Sequence, residues 1–358
     1  MLQALSARYQ VDFLIIDHQS DFLIAQEQFP SNFVRFLHFT SETGIWEKIK
    51  HKIGFVFPHS LKLNQYIQRL CSQTDYAFVF SRYIQPVSQI PKNQNIVADI
   101  DDDFEEIFKT RISNAKSWSR KLRLWQIFQL NKLVYNQLLA RIALPIVVKI
   151  EPKITTAFLL PNLPFQLILK GEYLFKPCSA KTLLYVGKLT YSPNSQGLIW
   201  FLIEVWPQLI QQIADIKLIL ISIENPQSLK LLDLIKSDSQ IELKINVDNL
   251  EEYYEHAGLV IAPVFEGGGS NIKIAEALWQ GRPVITTEFG VSGYEEFKNN
   301  SFLKVGNNEI FWTNEIVEIL FDRERLVKSQ RLSFEASRAK YSFKVWRDDL
   351  LNMVSKNW

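Results

Sequence analysis

Residues 260–293 constrain the fold of this chain more than any other stretch. An apolar run at residues 259–264 lacks polar alternation, so it predicts a strand buried on both faces of a parallel sheet. Three consecutive glycines follow, and without Cβ atoms their backbone can approach a ligand closely. A helix is predicted at residues 271–280 and a second buried strand at residues 284–287.

This order of strand, glycine loop, helix and strand predicts an anion site at the start of the helix. Ser270 is placed to cap the helix, and Gly281 fits the left-handed residue that ends it. Free N–H groups and about half a positive charge at a helix N-terminus attract phosphate or carboxylate. Lys273 adds a mobile charge, and the carboxylate of Glu276 can accept hydrogen bonds from both hydroxyls of a ribose. The spacing suits a nucleoside diphosphate, and it suits an ordinary surface pair beside a tight loop equally well.

The pattern is neither a P-loop nor the GxGxxG dinucleotide fingerprint. It resembles the donor-nucleotide domain of family 4 glycosyltransferases, retaining enzymes of GT-B fold. A second block, LLYVGKLTYSPNSQGLIWFLIEVWP at residues 183–207, resembles the family's opening strand, basic turn and first helix. The resemblance covers the C-terminal half well and the N-terminal half loosely. The residues that match the glycine-loop pattern are Pro263, Gly267, Gly268, Gly269, Ser270, Lys273, Glu276, Ala277, Gly281, Pro283, Val284, Thr286, Thr287, Gly290 and Gly293.

The resemblance implies transfer of a sugar, with retention, from a UDP-, GDP- or ADP-linked donor to a glycan, lipid-linked or small-molecule acceptor. It implies Lys188 and Lys273 as catalytic cations for the departing diphosphate. It also implies a catalytic role for Asp102, because relatives carry a His-Asp pair at the end of the corresponding strand. Since GT-B enzymes bind the diphosphate with cationic side chains of the protein, no metal and no cofactor are expected. The implied donor-binding residues are Gly187, Lys188, Gly267, Gly268, Gly269, Ser270, Asn271, Lys273 and Glu276.

The chain departs from the family pattern at several positions. Relatives carry arginine in place of Lys188 and a second cation in place of Gln196, so the expected phosphate site has one charge fewer. A common glutamate eight residues before Glu276 is Gly268 here.

The N-terminal half begins inside what the resemblance makes the first helix. Only Gly44 and Gly54 precede Gly171, so no N-terminal glycine loop is found. A start recorded too late and a chain without the first strand both fit. The second would be an inactive, nucleotide-binding relative. A GT-B sugar-nucleotide epimerase is a further alternative, although the C-terminal half lacks the acid/base carboxylates and histidines that this reaction needs.

The length of 358 residues is sufficient for two α/β domains. The resemblance arranges them as a GT-B fold of two Rossmann-like domains, with the nucleotide-sugar site in the second domain facing the interdomain cleft. The predicted domains are residues 1–165 and 166–340, with a C-terminal helix at 341–358 that packs on the first domain. Pro161 and two further prolines indicate a linker at residues 161–180.

Composition excludes several classes of function. A net charge of +2 does not indicate nucleic-acid binding. Two distant cysteines, Cys71 and Cys178, argue against a disulfide framework or a zinc site and fit a reducing cytoplasm. The five histidines form no metal or triad pattern. Four carboxylates at residues 99–103 can bind a divalent cation or form an acidic, solvated turn.

One segment, residues 109–125, carries cations and aromatic residues without an acid. A basic helix of this kind can lie on the inner face of an anionic membrane, or its charges are merely solvated. The segment is predicted to continue as one helix to residue 141.

Overall fold

The computed structural model describes residues 1–16, 23, 33–40, 60–100, 104–113, 115, 117–148, 154, 157–164, 174–267, 271–298 and 300–357. The chain divides into two compact units. The N-terminal unit comprises residues 1–161 and 344–358, and the C-terminal unit comprises residues 162–343. Both units combine parallel strands with helices, which confirms the predicted α/β class.

The N-terminal unit has two parallel sheets among its described residues. The first sheet pairs β1 (Val11–Ile16) with β2 (Val34–Phe39). The second sheet has four strands in sequential order. Its strands are β3 (Val79–Arg82), β4 (Ile96–Ile100), β5 (Leu144–Val147) and β6 (Phe158–Leu159).

Among the described residues of this unit, four helices precede its last strands. They are α1 (Leu2–Leu5), α2 (Leu61–Gln73), α3 (Phe104–Ser113) and α4 (Trp118–Leu139). A short 3₁₀ helix occupies Gln85–Gln89. Among the described residues no helix is both long and apolar enough to cross a bilayer.

The prediction of one basic helix from residue 109 to 141 is wrong. Helix α3 ends at Ser113, and α4 begins after Ser117, whose Oγ accepts a hydrogen bond from the backbone N–H of Arg120 at 3.3 Å. A serine that bonds the backbone in this way starts a new helix rather than continuing one. Lys109 and Arg111 therefore lie on a different helix from the cations that follow.

The C-terminal unit contains a six-stranded parallel sheet in the order β12-β11-β10-β7-β8-β9. Register is set by apolar pairs, with Leu183 opposite both Leu259 and Leu218. These side chains are buried, as expected for strands covered on both faces. The strands are β7 (Thr182–Val186), β8 (Lys217–Ser222), β9 (Ile241–Ile245), β10 (Leu259–Ala262), β11 (Val284–Thr286) and β12 (Leu303–Val305).

Helices cover both faces of this sheet, giving the doubly wound pattern of a Rossmann-like domain. They are α5 (Ser192–Trp200), α6 (Trp206–Gln212), α7 (Leu229–Lys236), α8 (Leu250–Glu255), α9 (Ile272–Trp279), α10 (Glu309–Phe321) and α11 (Arg323–Lys340). A π-helical turn at Phe201–Val205 joins α5 to α6, and a 3₁₀ helix occupies Glu295–Phe297.

Helix α5 begins at Ser192, because Pro193 in its first turn favours a helix start. Helix α8 is capped by Asn249, whose Oδ1 accepts from the N–H of Glu251 at 3.2 Å. Helix α9 has Asn271, not Ser270, at the N-cap position, and it makes no side-chain cap bond.

The last helix, α12 (Phe343–Asn357), contributes to the N-terminal unit. The indole N–H of Trp346 donates to the carbonyl oxygen of Pro161 at 2.9 Å. The hydroxyls of Tyr9 and Ser355 lie 3.3 Å apart. These contacts connect the two ends of the chain within one unit.

Candidate functional site

The candidate site lies where β7 and β10 end, next to each other in the sheet of the C-terminal unit. Strands β8 and β9 lie on one side of β7, and β11 and β12 lie on the far side of β10. The direction of sheet growth therefore reverses between β7 and β10. Open α/β sheets bind ligands at the carboxyl ends of the strands that flank such a switch point. Gly187 and Lys188 follow β7, and the glycine loop follows β10.

Helix α5 approaches the end of β10 closely at Gly197. A Cβ on Gly197 would lie 1.6 Å from the carbonyl oxygen of Pro263. The approach holds the first turn of α5 beside the turn after β7. Ser195, in the first turn of α5, donates through Oγ to the carbonyl of Leu189 in the turn after β7 at 2.7 Å. The N–H of Leu189 donates to Ser222 Oγ at 3.1 Å. The turn after β7 is thereby fixed from both sides.

The glycine loop is fixed at both of its described ends. Thr287 Oγ1 donates to the carbonyl of Val264 and accepts from the N–H of Gly290 at 2.8 Å. At the other end, Asn271 Nδ2 donates to the carbonyl of Gly290 at 2.9 Å. Gly267 has a φ of +150°, a conformation that favours glycine. Gly268, Gly269 and Ser270 lie outside the described residues.

Lys273 is buried rather than mobile, which corrects the expectation from the sequence. Only 9% of the residue is exposed. Its ammonium donates to Asn194 Oδ1 at 2.8 Å and lies 5.1 Å from the centroid of the Tyr185 ring. A Cβ on Gly187 would lie 3.3 Å from Lys273 Nζ. The structure thus brings Gly187 and Lys273 together, as the predicted site requires.

Burial lowers the pKa of Lys273 to about 8, and the neighbouring carboxylate of Glu276 opposes the shift. The lysine therefore remains largely charged at neutral pH. Its hydrogen-bond partner is a neutral amide, so its charge is available to an incoming anion. A cation held in a partly desolvated position attracts an anion more strongly than one in water.

Asn194 connects the two parts of the site, and sequence reasoning missed it. Its Nδ2 donates to the carbonyl of Lys188 at 3.0 Å, while its Oδ1 accepts from Lys273. One side chain therefore sets the distance between the turn after β7 and the first turn of α9. Its place beside Pro193, in the first turn of the helix that follows β7, was the available signal.

Tyr185 supplies a second feature that the sequence did not reveal. The side chain is buried, and its hydroxyl has no hydrogen-bond partner among the described residues. Burial raises the pKa of this hydroxyl. A Cβ on Gly187 would lie 2.9 Å from the hydroxyl oxygen, so the group points to the turn that carries Lys188.

Lys188 lies at the rim of the site and is paired with an acid. Its ammonium is 3.1 Å from a carboxylate oxygen of Glu224, and each side chain is about half exposed. The pair borders an open cavity of about 630 Å³ in the C-terminal unit. The residues that line this cavity are Lys188, Thr190, Tyr191, Asn194, Glu224 and Gln227. A phosphate that binds Lys188 would take the place of Glu224 as its partner.

Glu276 lies one turn after Lys273 on α9 and is half-buried. Tyr254 lies near Glu276. Burial is the larger cause that raises the pKa of the Tyr254 hydroxyl, and the charge of Glu276 is the smaller one. The carboxylate belongs to the same helix end as Lys273. Its contact with a ribose remains a prediction.

Asp102 lies outside the described residues, as do His18, His51 and His59. His256 ends α8 with its Nδ1 2.7 Å from the carbonyl of Glu252. Within the described part of the chain, no group of three or more His, Cys, Asp or Glu is placed to hold a metal ion.

One protein-family model matches part of the C-terminal unit. Residues 180–322 match the model of glycosyl transferases group 1. The matched residues include Gly187, Lys188, Asn194, Lys273 and Glu276.

One curated relative is an uncharacterized 44.6 kDa protein in the cps region of Klebsiella pneumoniae. It is 30% identical over 146 residues, which cover 37% of this chain and 36% of that protein. The chain thus matches about a third of the length of its curated relative.

Several solved structures resemble nearly the whole chain. Sucrose-phosphate synthase from Thermosynechococcus elongatus has a TM-score of 0.69 at 16% identity, over 99% of this chain and 90% of that one. Anabaena HepE in complex with UDP and glucose has a TM-score of 0.67 at 12% identity, over 99% of this chain and 94% of that one. At these identities the likeness shows the fold, which is that of GT-B glycosyltransferases.

Proposed function

We propose that this chain is a glycosyltransferase that moves a sugar from a nucleotide-diphosphate donor to a glycan, lipid-linked or small-molecule acceptor. The observation that carries the proposal is the buried ammonium of Lys273, held by the neutral side chain of Asn194 at the switch point of the sheet. The site belongs to the unit that the group 1 model matches in part.

The chemistry follows from the charge that develops as the sugar leaves. Breaking the bond between the sugar and the diphosphate leaves negative charge on the phosphate oxygens. A cation already fixed beside those oxygens stabilises the transition state without reorganising during the reaction. Lys273 supplies this charge, and Lys188 supplies a second one when the phosphate displaces Glu224.

The nucleoside end of the donor is assigned to Glu276. Its carboxylate can accept two hydroxyl hydrogen bonds, and it is one helical turn from Lys273. UDP is the first nucleotide to test, because the similar Anabaena structure holds UDP and glucose. GDP and ADP remain candidates. Retention, and the contact of Asp102 with the sugar, rest on the resemblance to family 4 glycosyltransferases.

Calorimetric titration with UDP, GDP and ADP tests the proposal. We expect one nucleotide to bind the wild type, and the Lys273→Met variant to bind it at least about tenfold more weakly, as expected when a charged hydrogen bond is lost. The matched control is Lys236→Met, which removes an exposed lysine from the last turn of α7. Binding that is absent for all three nucleotides, or equal in both variants, contradicts the assigned site.

Donor hydrolysis then separates an enzyme from a binding protein. Release of free nucleotide from the corresponding nucleotide sugars supports the transferase. Nucleotide binding without release from any of them identifies a glycosyltransferase-like binding protein instead.

A further inference from the structure

The outer face of α4 exposes an apolar stripe. Five large apolar side chains of this helix are between 40% and 77% exposed. They are Trp118, Leu122, Trp125, Leu130 and Leu133. At about 100° per residue, four of the five fall within an arc of about 80°, with Leu130 beside it.

The opposite face of the same helix is fixed in the core of the N-terminal unit. Phe128, Asn131, Tyr135 and Leu138 are buried. The ring of Tyr135 stacks on that of Phe104 from α3, with centroids 4.8 Å apart. These buried residues anchor the second half of the helix, and the first half, with Trp118 and Trp125, extends from that anchored part. The five exposed residues span about 22 Å at 1.5 Å per residue.

The stripe is bordered by positive charge. Helix α4 contains no Asp or Glu. Arg120, Lys121 and Arg123 are exposed, and Lys121 and Arg123 flank the apolar arc on its two sides. A fourth cation, Lys132, is 3.2 Å from Glu105 of α3 and is partly neutralised. The cations of α4 that form no ion pair with a described residue therefore gather at the end of the helix that also carries the two tryptophans.

We propose that the outer face of α4 docks in the plane of an anionic lipid bilayer. A helix with Trp and Leu on one face and Lys and Arg beside them fits the boundary between headgroups and acyl chains. Tryptophan is enriched at that boundary, and anionic headgroups attract adjacent cations. A second copy of the chain fits less well, because a symmetric contact would bring the same cations together. This surface is independent of the proposed sugar transfer.

Co-sedimentation of the full chain with vesicles tests the proposal. We expect binding to vesicles of phosphatidylcholine with phosphatidylglycerol and little binding to phosphatidylcholine alone. The triple variant Arg120→Gln, Lys121→Gln, Arg123→Gln should lose about thirtyfold in affinity for the anionic vesicles, because Lys121 and Arg123 border the stripe whereas Arg120 lies on the opposite side of the helix. Trp118→Ala with Trp125→Ala should also weaken binding. The control is Leu229→Ala, which removes an equally exposed apolar side chain of α7.

Quenching by brominated lipids reports which residues enter the bilayer. Brominated vesicles should quench the fluorescence of the wild type. The variant Trp118→Phe with Trp125→Phe should still bind but lose most of that quenching. Folding of each variant is checked by far-UV circular dichroism, and nucleotide binding is measured separately, so failure here leaves the donor site unaffected.

Three outcomes would overturn the docking surface. The first is the absence of binding to anionic vesicles. The second is equal binding by the wild type and the triple variant. The third is self-association in analytical ultracentrifugation that disappears in Trp118→Ala with Trp125→Ala, since it would assign the stripe to a contact between copies.

Discussion

The ammonium of Lys273 donates a 2.8 Å hydrogen bond to Asn194 Oδ1, although 79 positions separate the two residues in the chain. The same amide donates through Nδ2 to the carbonyl of Lys188. A single neutral side chain thus fixes the buried cation relative to the turn after β7. Asparagine suits this position because it offers both a donor and an acceptor and carries no charge of its own.

Substitution of Asn194 should weaken nucleotide binding in two distinguishable ways. In Asn194→Asp the new carboxylate neutralises Lys273 and repels the diphosphate, and in Asn194→Leu the ammonium loses its partner. Each should lower affinity about tenfold or more, since a hydrogen bond to a charged group contributes about 1.5–3 kcal/mol. The measurement is calorimetric titration with the nucleotide that binds the wild type.

The matched control is Asn95→Asp, because Asn95 also donates through Nδ2 to a backbone carbonyl but lies in the N-terminal unit. If Asn194→Asp bound the nucleotide as tightly as the wild type, the amide would not position Lys273 for phosphate.

Donor affinity should depend on pH through Lys273. The pKa of this lysine is lowered to about 8 by burial, so it is charged below that pH and loses its charge above it. Bound diphosphate favours the charged form and raises the pKa again. Affinity for a nucleotide sugar should therefore be highest below pH 8. Above pH 8 it should fall up to about tenfold per pH unit, until the pKa of the complex is reached.

Lys273→Arg provides the comparison, because a guanidinium stays charged throughout this range. Its affinity should vary less with pH than that of the wild type. A wild-type affinity that is constant from about pH 7 to about pH 10 would show that the ammonium of Lys273 does not contact the diphosphate.

Removing the acid beside Lys188 should strengthen binding modestly. Glu224 and Lys188 are both about half exposed, so their pair contributes roughly 0–1 kcal/mol. Glu224→Gln frees the lysine for phosphate and should raise affinity by up to about fivefold, with a smaller gain at high salt. Glu242→Gln, which breaks the similarly exposed pair with Lys244, is the control. Weaker binding in Glu224→Gln would instead assign the carboxylate itself to the ligand.

The sequence predicted the parts of the site that depend on local pattern. Buried strands appear as unbroken apolar runs, so the two strands predicted on either side of the glycine loop and its helix are found as β10 (Leu259–Ala262) and β11 (Val284–Thr286). Gly281 has a φ of +68°, as its place after a helix predicts. Such features follow from backbone preferences within a few residues.

What the sequence could not predict depends on contacts between distant segments. Burial of Lys273 follows from the packing of α9 against the end of β7, which no local pattern encodes. Its partner Asn194 is contributed by another helix. The helix start at Ser117 was missed and the N-cap at Asn271 was misplaced, because several nearby polar residues can cap a helix equally well.

Gly197→Ala should destabilise the C-terminal unit strongly. The new methyl group would lie 1.6 Å from the carbonyl oxygen of Pro263, and neither backbone can move without shifting α5 or β10. We expect a loss of about 3 kcal/mol in the free energy of unfolding. Urea denaturation measures it, with Gln196→Ala as the control at an exposed position of the same helix. Equal stability of both variants would mean that α5 does not approach β10 this closely.

Variants of Glu276 and of Lys273 should differ in their affinity for ligands that lack parts of the nucleotide. If Glu276 binds the ribose, Glu276→Gln should lower affinity for the nucleoside diphosphate by about tenfold, because a charge-assisted hydrogen bond is weakened. Affinity for inorganic pyrophosphate should not fall, and Lys273→Met should lose affinity for both ligands. For the wild type, removing the two ribose hydroxyls from the nucleotide should reproduce the effect of Glu276→Gln. Equal losses for nucleotide and pyrophosphate in Glu276→Gln would place this carboxylate at the phosphates, where it would support Lys273 rather than contact the sugar ring of the nucleoside.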